Sequence, residues 1–203
     1  MADFWWRTEM AIVFFDFETG GVDDSSPNIQ LAAVAVDDEW KELGHFERKI
    51  QFDEAAASKE ALEINHYDPE IWKKEAVPEA TVVAGFDAFL ARYKTVRMIS
   101  KRTGRPYSVA RLGGHNIISF DIPRLRRMFG VKFLPVDMRG LDTLQLAMWF
   151  FYGKADQPED FKLSTLAKYF GFPHDAHDAL GDVRACATFA KTIKGAMVLD
   201  GEI

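Results

Sequence analysis

Cysteine is nearly absent from this sequence, which contains only Cys186 among its 203 residues. A single cysteine cannot form an intrachain disulfide, so the fold does not depend on a disulfide framework, and we expect a reducing compartment. Cys186 falls on the apolar side of a predicted helix, which indicates a position in the core.

Long hydrophobic runs are also lacking. No apolar stretch approaches the roughly 20 residues that cross a bilayer. The first ten residues include Arg7 and Glu9 and do not follow the pattern of a secretory signal peptide. We therefore expect a cytoplasmic protein that makes no membrane contact.

Positive charge is scarce and unevenly distributed. Lysine and arginine number 25 against 31 acidic residues, giving a net charge of −6, which argues against a protein that coats nucleic acid non-specifically. Between Lys94 and Arg111, however, there are six basic residues and no acidic one. One segment is therefore basic in an otherwise acidic chain.

An apolar run near the start of the chain ends in two closely spaced acids. Residues 12–15 are β-branched or aromatic, which predicts a buried strand. Because successive side chains of a strand point to opposite faces, Asp16 and Glu18 project from the same face. Their repulsion is costly unless a cation lies between them, and oxygen ligands suit Mg²⁺ or Mn²⁺. This pair alone also allows a strand that ends in solvent with both carboxylates hydrated.

The remaining pattern predicts strands followed by helices, which is typical of one mixed α/β domain. Further strands are expected at residues 29–36 and 43–51, and a β-hairpin that carries the basic segment is expected at about residues 97–112. Helices are predicted at residues 54–63, from 69, at 78–93, from about 120 to 129, and at 141–152, 163–170 and 178–194.

Two more acids and a histidine complete the group of candidate catalytic residues. Asp121 lies near a predicted strand-to-helix junction, and Asp182 lies one turn into the last helix with His177 just before it. Taken singly, Asp121 is explained as a helix cap and Asp182 as a solvent-facing residue. Their joint occurrence in this order with Asp16 and Glu18 favours catalysis.

Together these blocks resemble the DnaQ-like exonucleases of the DEDDh type, which belong to the ribonuclease-H-like superfamily. The matching blocks are Asp16-Phe17-Glu18, Asn116 with Phe120-Asp121, and His177 ahead of Asp182. The resemblance implies a ribonuclease-H-like mixed five-stranded sheet flanked by helices. The basic β-hairpin at about residues 96–112 is an addition to this core that the resemblance does not explain. We therefore expect residues 1–203 to form a single exonuclease domain with a core of about residues 11–194.

The resemblance also implies a reaction. The protein is expected to be a metal-dependent 3′-5′ exonuclease that hydrolyses single-stranded 3′ ends, of DNA rather than RNA, to nucleoside monophosphates. Asp16 would bridge two divalent cations, Mg²⁺ or Mn²⁺, with Glu18 and Asp182 completing one site and Asp121 the other. His177 would act as the general base, which suits the ordinary pKa of an imidazole.

Substrate contacts are expected from two groups of residues. The resemblance implies contacts from residues near the terminal nucleotide, namely Phe17, Thr19, Asn65, His66 and Asn116. The charge pattern suggests that four residues of the hairpin guide the polyanion, namely Arg97, Lys101, Arg102 and Arg105. The alternative for these four is a solvated edge that protects an exposed strand from aggregation. Gly20 departs from the pattern of many relatives, which carry a second threonine there.

Two other functions stay open at this level. One is a 3′-5′ exoribonuclease of the same superfamily, because nothing in these motifs reads a 2′-hydroxyl group. The other is a non-catalytic nucleic-acid-binding or polymerase-associated scaffold. The sequence also leaves open whether a polymerase or replication protein is a partner chain and what the oligomeric state is. His115 and Asp142, beside the candidate site residues in sequence, are interpreted as structural.

Overall fold

The computed structural model describes residues 10–130, 134–174 and 178–199. The strands are β1 Ile12–Thr19, β2 Asn28–Val36, β3 Glu42–Lys49, β4 Val96–Ile99, β5 Pro106–Gly114 and β6 Val136–Asp142. The helices are α1 Lys59–Ile64, α2 Pro69–Glu75, α3 Glu79–Ala91, α4 Asp121–Phe129, α5 Thr143–Phe151, α6 Leu163–Phe170 and α7 Ala179–Leu199, with a 3-10 turn at Glu54–Ala56.

The predicted mixed sheet is confirmed, and its core comprises five strands in the order β3-β2-β1-β5-β6. The first three strands form an antiparallel meander, whereas β5 and β6 run parallel to β1. The sixth strand, β4, pairs antiparallel with the first half of β5, at residues 106–109, and forms the predicted hairpin. The second arm of that hairpin therefore continues directly into the core, where β5 lies between β1 and β6.

β6 is an element for which the sequence pattern predicted no strand. Its residues Val136–Asp142 carry charged side chains at Asp137 and Arg139, so the apolar alternation that indicates a strand is missing. Asp137 is nevertheless buried, because Arg111 on β5 and Arg139 both form ion pairs with its carboxylate. Tertiary pairing of charges thus stabilises a strand that its own sequence does not indicate.

The two faces of β1 pack against different helices. Phe15 and Phe17 belong to the core that includes Phe86 of α3 and residues of α4, whereas Phe14 packs on the opposite face with Val183 of α7. Because side chains alternate along a strand, the even-numbered positions of β1 face α7. This alternation directs the carboxylates at positions 16 and 18 toward the start of α7.

Side-chain caps determine where several helices begin. The helix expected at residues 54–63 is divided, because Ser58 accepts a hydrogen bond from the Ala61 amide and starts α1 afresh. Asp68 caps α2 in the same way, and Asp142 caps α5. Even α7, the longest helix in the described ranges at 21 residues, lacks the sustained hydrophobicity needed to cross a membrane, as do the other helices there.

Candidate metal centre

Three carboxylates converge where β1 ends beside the first turn of α7. Asp16 and Glu18 project from the same face of β1, and Asp182 lies in the first turn of α7. One carboxylate oxygen from each of the three lies within 4.8 Å of the others. Asp178 fixes the start of this helix, because its carboxylate accepts a hydrogen bond of 2.9 Å from the Gly181 amide. Residues more than 160 positions apart in sequence thus form one acidic cluster.

The cluster is electrostatically strained. Burial, followed by the nearby Asp182, raises the pKa of Asp16 to about 7. Burial, followed by Asp16 and Asp182, raises the pKa of Glu18 to about 8. For both carboxylates the pKa is raised by burial and by neighbouring carboxylates, all of which disfavour the charged form. Three converging carboxylate oxygens that repel one another fit a hard divalent cation such as Mg²⁺ or Mn²⁺.

Asp121 lies beside this cluster, though outside the set of three close carboxylates. The pairing of β1 with β5 ends at Phe14 and Gly113, so the Phe17 amide lies beyond the end of that ladder. Asp121, the first residue of α4, is 1% exposed and accepts a hydrogen bond of 3.1 Å from that amide. Burial and then the charge of Asp16 raise the pKa of Asp121 well above its usual range. The structure therefore brings Asp121 next to Asp16.

His174 contacts the cluster, although sequence reasoning assigned it no role. Its Nε2 lies 2.5 Å from Oδ1 of Asp182, and its side chain is 7% exposed. The predicted general base, His177, lies outside the described residues. The only signal in the sequence that pointed toward His174 was its position three residues before His177.

The end of β1 is joined to α1 by two hydrogen bonds. Asn65 Nδ2 donates to the Thr19 carbonyl over 2.8 Å, and the Ser58 amide donates to the Gly20 carbonyl over the same distance. A Cβ atom at Gly20 would lie 2.7 Å from Cβ of Ala57, which explains why threonine does not occupy this position. Asn65 is therefore held at the end of β1, and His66, the next residue, is exposed and has a positive φ of 51°.

Phe17 and Asn116 occupy different environments. The Phe17 side chain is buried in the core on the other face of β1, in edge-to-face contact with Phe15. Asn116 has a φ of 59°, and its backbone N–H donates to Oδ1 of Asp142 over 2.9 Å. Asp142 also accepts from the Ile118 and Leu144 amides, which confirms its interpretation as a structural residue. His115 is likewise structural, because its Nδ1 hydrogen-bonds Thr143 Oγ1.

Arg124 is a buried cation that stabilises the loop after β1. It is 2% exposed and donates to the carbonyls of Ser26 and Asp23 over 3.0 and 2.8 Å. Its guanidinium also stacks over the Phe120 ring at 4.3 Å. The loop at residues 20–27 is thereby attached to the helix that begins with Asp121.

The basic residues of the hairpin do not join this cluster. Arg97, Lys101, Arg102 and Arg105 are all exposed on β4 and the turn that follows it. The turn adjoins the first residue of β5, whereas the acidic cluster lies at the C-terminal ends of the parallel strands. The two groups therefore lie at opposite ends of the strands.

The sheet order, the flanking helices and the acids at the end of β1 agree with the fold that the sequence resemblance implies. Among solved structures, the chain is similar to Escherichia coli exonuclease I in complex with a dT13 oligonucleotide, with a TM-score of 0.73, 21% identity and 96% of this chain covered. Another structure of exonuclease I gives a TM-score of 0.72 with 21% identity over 92% of this chain. The predicted resemblance is thus confirmed in the fold.

Sequence similarity points to plant proteins. Protein NEN2 of Arabidopsis thaliana is 41% identical over 73 residues, which is 35% of this chain. No protein-family model matches the sequence. The chain spans 41 to 43% of the two exonuclease I chains and 14% of NEN2, so it corresponds to only part of each.

Proposed function

We propose that the protein is a metal-dependent 3′-5′ exonuclease that removes nucleoside monophosphates from single-stranded 3′ ends, with DNA preferred. The observation that carries this proposal is the approach of Asp16, Glu18 and Asp182 to within 4.8 Å of one another, with burial and mutual repulsion raising the pKa values of the first two. The likeness to exonuclease I bound to dT13 supports single-stranded DNA as the substrate class.

The donor set is compatible with divalent cations. Asp16, Glu18 and Asp182 would hold one ion, and Asp121 with Asp16 would hold a second, either as Mg²⁺ or as Mn²⁺. Such ions lower the pKa of a bound water and stabilise charge on the phosphate and on the leaving oxygen. Mutual repulsion within the metal-free cluster would then be relieved on binding.

The chain itself would position the terminal nucleotide and move a proton. His177, just ahead of α7, is proposed to accept a proton from the attacking water. Thr19, Asn65 and His66 lie at the ends of β1 and α1, which the hydrogen bond from Asn65 to the Thr19 carbonyl joins, and they would contact the terminal nucleotide. Phe17 would contribute through its backbone, because its side chain is in the core. Asn116 is proposed as a further contact, and a polymerase or replication partner stays a prediction.

A time course on matched DNA and RNA oligonucleotides tests the proposal. With Mg²⁺ or Mn²⁺ we expect a 5′-labelled DNA strand to shorten stepwise from its 3′ end, while a 3′-labelled strand releases a labelled mononucleotide from the start. Chelation should stop both. Faster hydrolysis of RNA would instead assign an exoribonuclease, and an absence of metal-dependent hydrolysis would leave a binding scaffold.

A further inference from the structure

We propose that the turn of the basic hairpin is a second nucleic-acid contact that binds the phosphate backbone of a single strand far from the bond that is cut. The inference rests on the proposed function, because it assumes a polynucleotide substrate. It makes the guidance expected from sequence more specific, because it places the contact at the end of β5 that lies away from the carboxylates.

The register of the sheet determines the separation. Phe14 pairs with Gly113 in the parallel ladder, so Asp16 lies level with position 115, one residue beyond the end of β5. Pro106, where the turn meets β5, is nine residues back along the strand, or about 30 Å at about 3.3 Å per residue. A stacked strand advances about 3.4 Å per nucleotide, so the two points are separated by about nine nucleotides. Cations at this distance cannot contact the terminal nucleotide.

The charges of the turn are available for a ligand. Of the six basic residues from Lys94 to Arg111, Arg111 is used in an ion pair of 3.3 Å with Asp137, and Lys94 is half-buried. The other four are exposed and form no ion pair with any carboxylate in the described ranges, namely Arg97, Lys101, Arg102 and Arg105. Exposed cations without acidic neighbours are the feature that attracts phosphates.

The turn is also ordered by its own hydrogen bonds. The Ser100 amide donates to the Arg105 carbonyl over 3.0 Å, and the Gly104 amide donates to the Ser100 carbonyl over 2.8 Å. Gly104 has a φ of 67°, a conformation that glycine adopts without strain. The closed turn presents Lys101 and Arg102 together at its end. The carboxylate cluster repels a polyanionic substrate. The cations of the turn attract the same substrate and offset this repulsion.

Substrate length provides the test. The variant R97Q/K101Q/R102Q/R105Q is compared with a control, K73Q/K74Q/K168Q/K191Q, which removes four exposed lysines from helices. Binding is measured in chelator by fluorescence anisotropy, and KM is measured with metal, on single strands of about 4 and about 20 nucleotides. Because phosphates are shared, DNA and RNA should respond alike.

We expect the hairpin variant to bind the long strand about tenfold more weakly. The slope of log K against log salt should become shallower by about 2 to 3, because each of the four phosphate contacts contributes about 0.7 to a single-strand slope. Its KM for the short strand, and all constants of the control variant, should stay within about twofold of wild type. An unchanged salt slope, an equal loss in the control or an equal loss on the short strand would overturn the proposal. Hydrolysis of the short strand by wild-type protein separately tests the proposed function. K101Q/R102Q alone repeats the test at the end of the turn if the fourfold variant folds poorly.

We infer from a separate contact that His174 is a positioning residue for the carboxylate of Asp182. The 2.5 Å contact engages Oδ1 of Asp182, while the imidazole is almost fully buried. A carboxylate has a second oxygen, so Asp182 can accept the Nε2–H and still present Oδ2 to a cation. Groups that hydrogen-bond a metal ligand orient it, and their loss typically weakens metal binding by about 10- to 100-fold.

Titration calorimetry with Mn²⁺ tests this role without relying on turnover. His174→Ala should weaken Mn²⁺ binding by at least about tenfold, and His174→Gln, which keeps an N–H donor, should recover part of the loss. At saturating Mn²⁺ the kcat of His174→Ala should return toward wild type, whereas His177→Ala should keep a low kcat with near-normal Mn²⁺ affinity. Mn²⁺ affinities of folded His174→Ala and His174→Gln both within twofold of wild type would contradict the inference.

Discussion

Asp16→Asn is expected to abolish hydrolysis and, in metal-free protein, to raise the stability of the fold. Asp16 belongs to all the proposed metal contacts, and losing several kcal/mol of charge stabilisation corresponds to a rate loss of at least about 10³-fold. The stability gain follows from the pKa of Asp16, which burial and then Asp182 raise to about 7. Removing a strained charge should increase the free energy of unfolding by about 1 to 3 kcal/mol at pH 8.

The stability gain of Asp16→Asn should depend on pH in a defined direction. Because the folded pKa lies above the value of about 4 in the unfolded chain, the folded state binds more protons between these values, and wild-type stability falls as pH rises through them. The difference between wild type and Asp16→Asn should thus be near zero below pH 4 and largest above pH 7. Thermal melts in chelator measure this difference. Added Mn²⁺ should stabilise wild type more than the variant.

Asp38→Asn is the matched control, because Asp38 is an exposed carboxylate in the turn between β2 and β3. It should leave activity and stability nearly unchanged at every pH. Wild-type-like turnover in Asp16→Asn would refute the metal assignment, and a variant that is less stable than wild type at pH 8 would contradict the electrostatic account.

Asp121 should separate catalysis from folding when it is replaced in two ways. Asp121→Asn keeps an oxygen that can accept a hydrogen bond from the Phe17 amide. Asp121→Ala removes this acceptor, which lies 3.1 Å from the amide and is buried. Losing a buried partner costs about 1 to 3 kcal/mol. Both variants remove the carboxylate proposed for the second ion, so both should lower kcat by about 10²- to 10³-fold.

Chemical denaturation and steady-state kinetics give the two readouts. We expect Asp121→Asn to be more stable than Asp121→Ala by about the cost of the lost hydrogen bond, with equally low kcat. Equal stabilities would show that the bond to Phe17 contributes nothing. Substantial activity in either variant would show that Asp121 is structural only.

The meander, the last helix and the crowding of Asp16 with Glu18 could be predicted because their signals are local. Alternation within β1 is a property of a few consecutive residues, and the acid pair shares a face wherever the strand lies. β6 could not be predicted, because its charged residues break the apolar alternation and Asp137 is buried through ion pairs with Arg139 and with Arg111 on a neighbouring strand. The contact of His174 with Asp182 could not be predicted either, because the two residues are eight positions apart and Asp182 lies within α7 while His174 precedes it.

The sequence by itself determined which residue types carry the chemistry, since the spacing of acids in β1 and of acid and histidine before α7 is local. Only the tertiary structure decided which carboxylates meet and where the basic turn lies. Asp182 reaches Asp16 because α7 packs on one face of β1. The basic turn lies about 30 Å away because Phe14 pairs with Gly113 in a parallel register, and register is a property of two strands together.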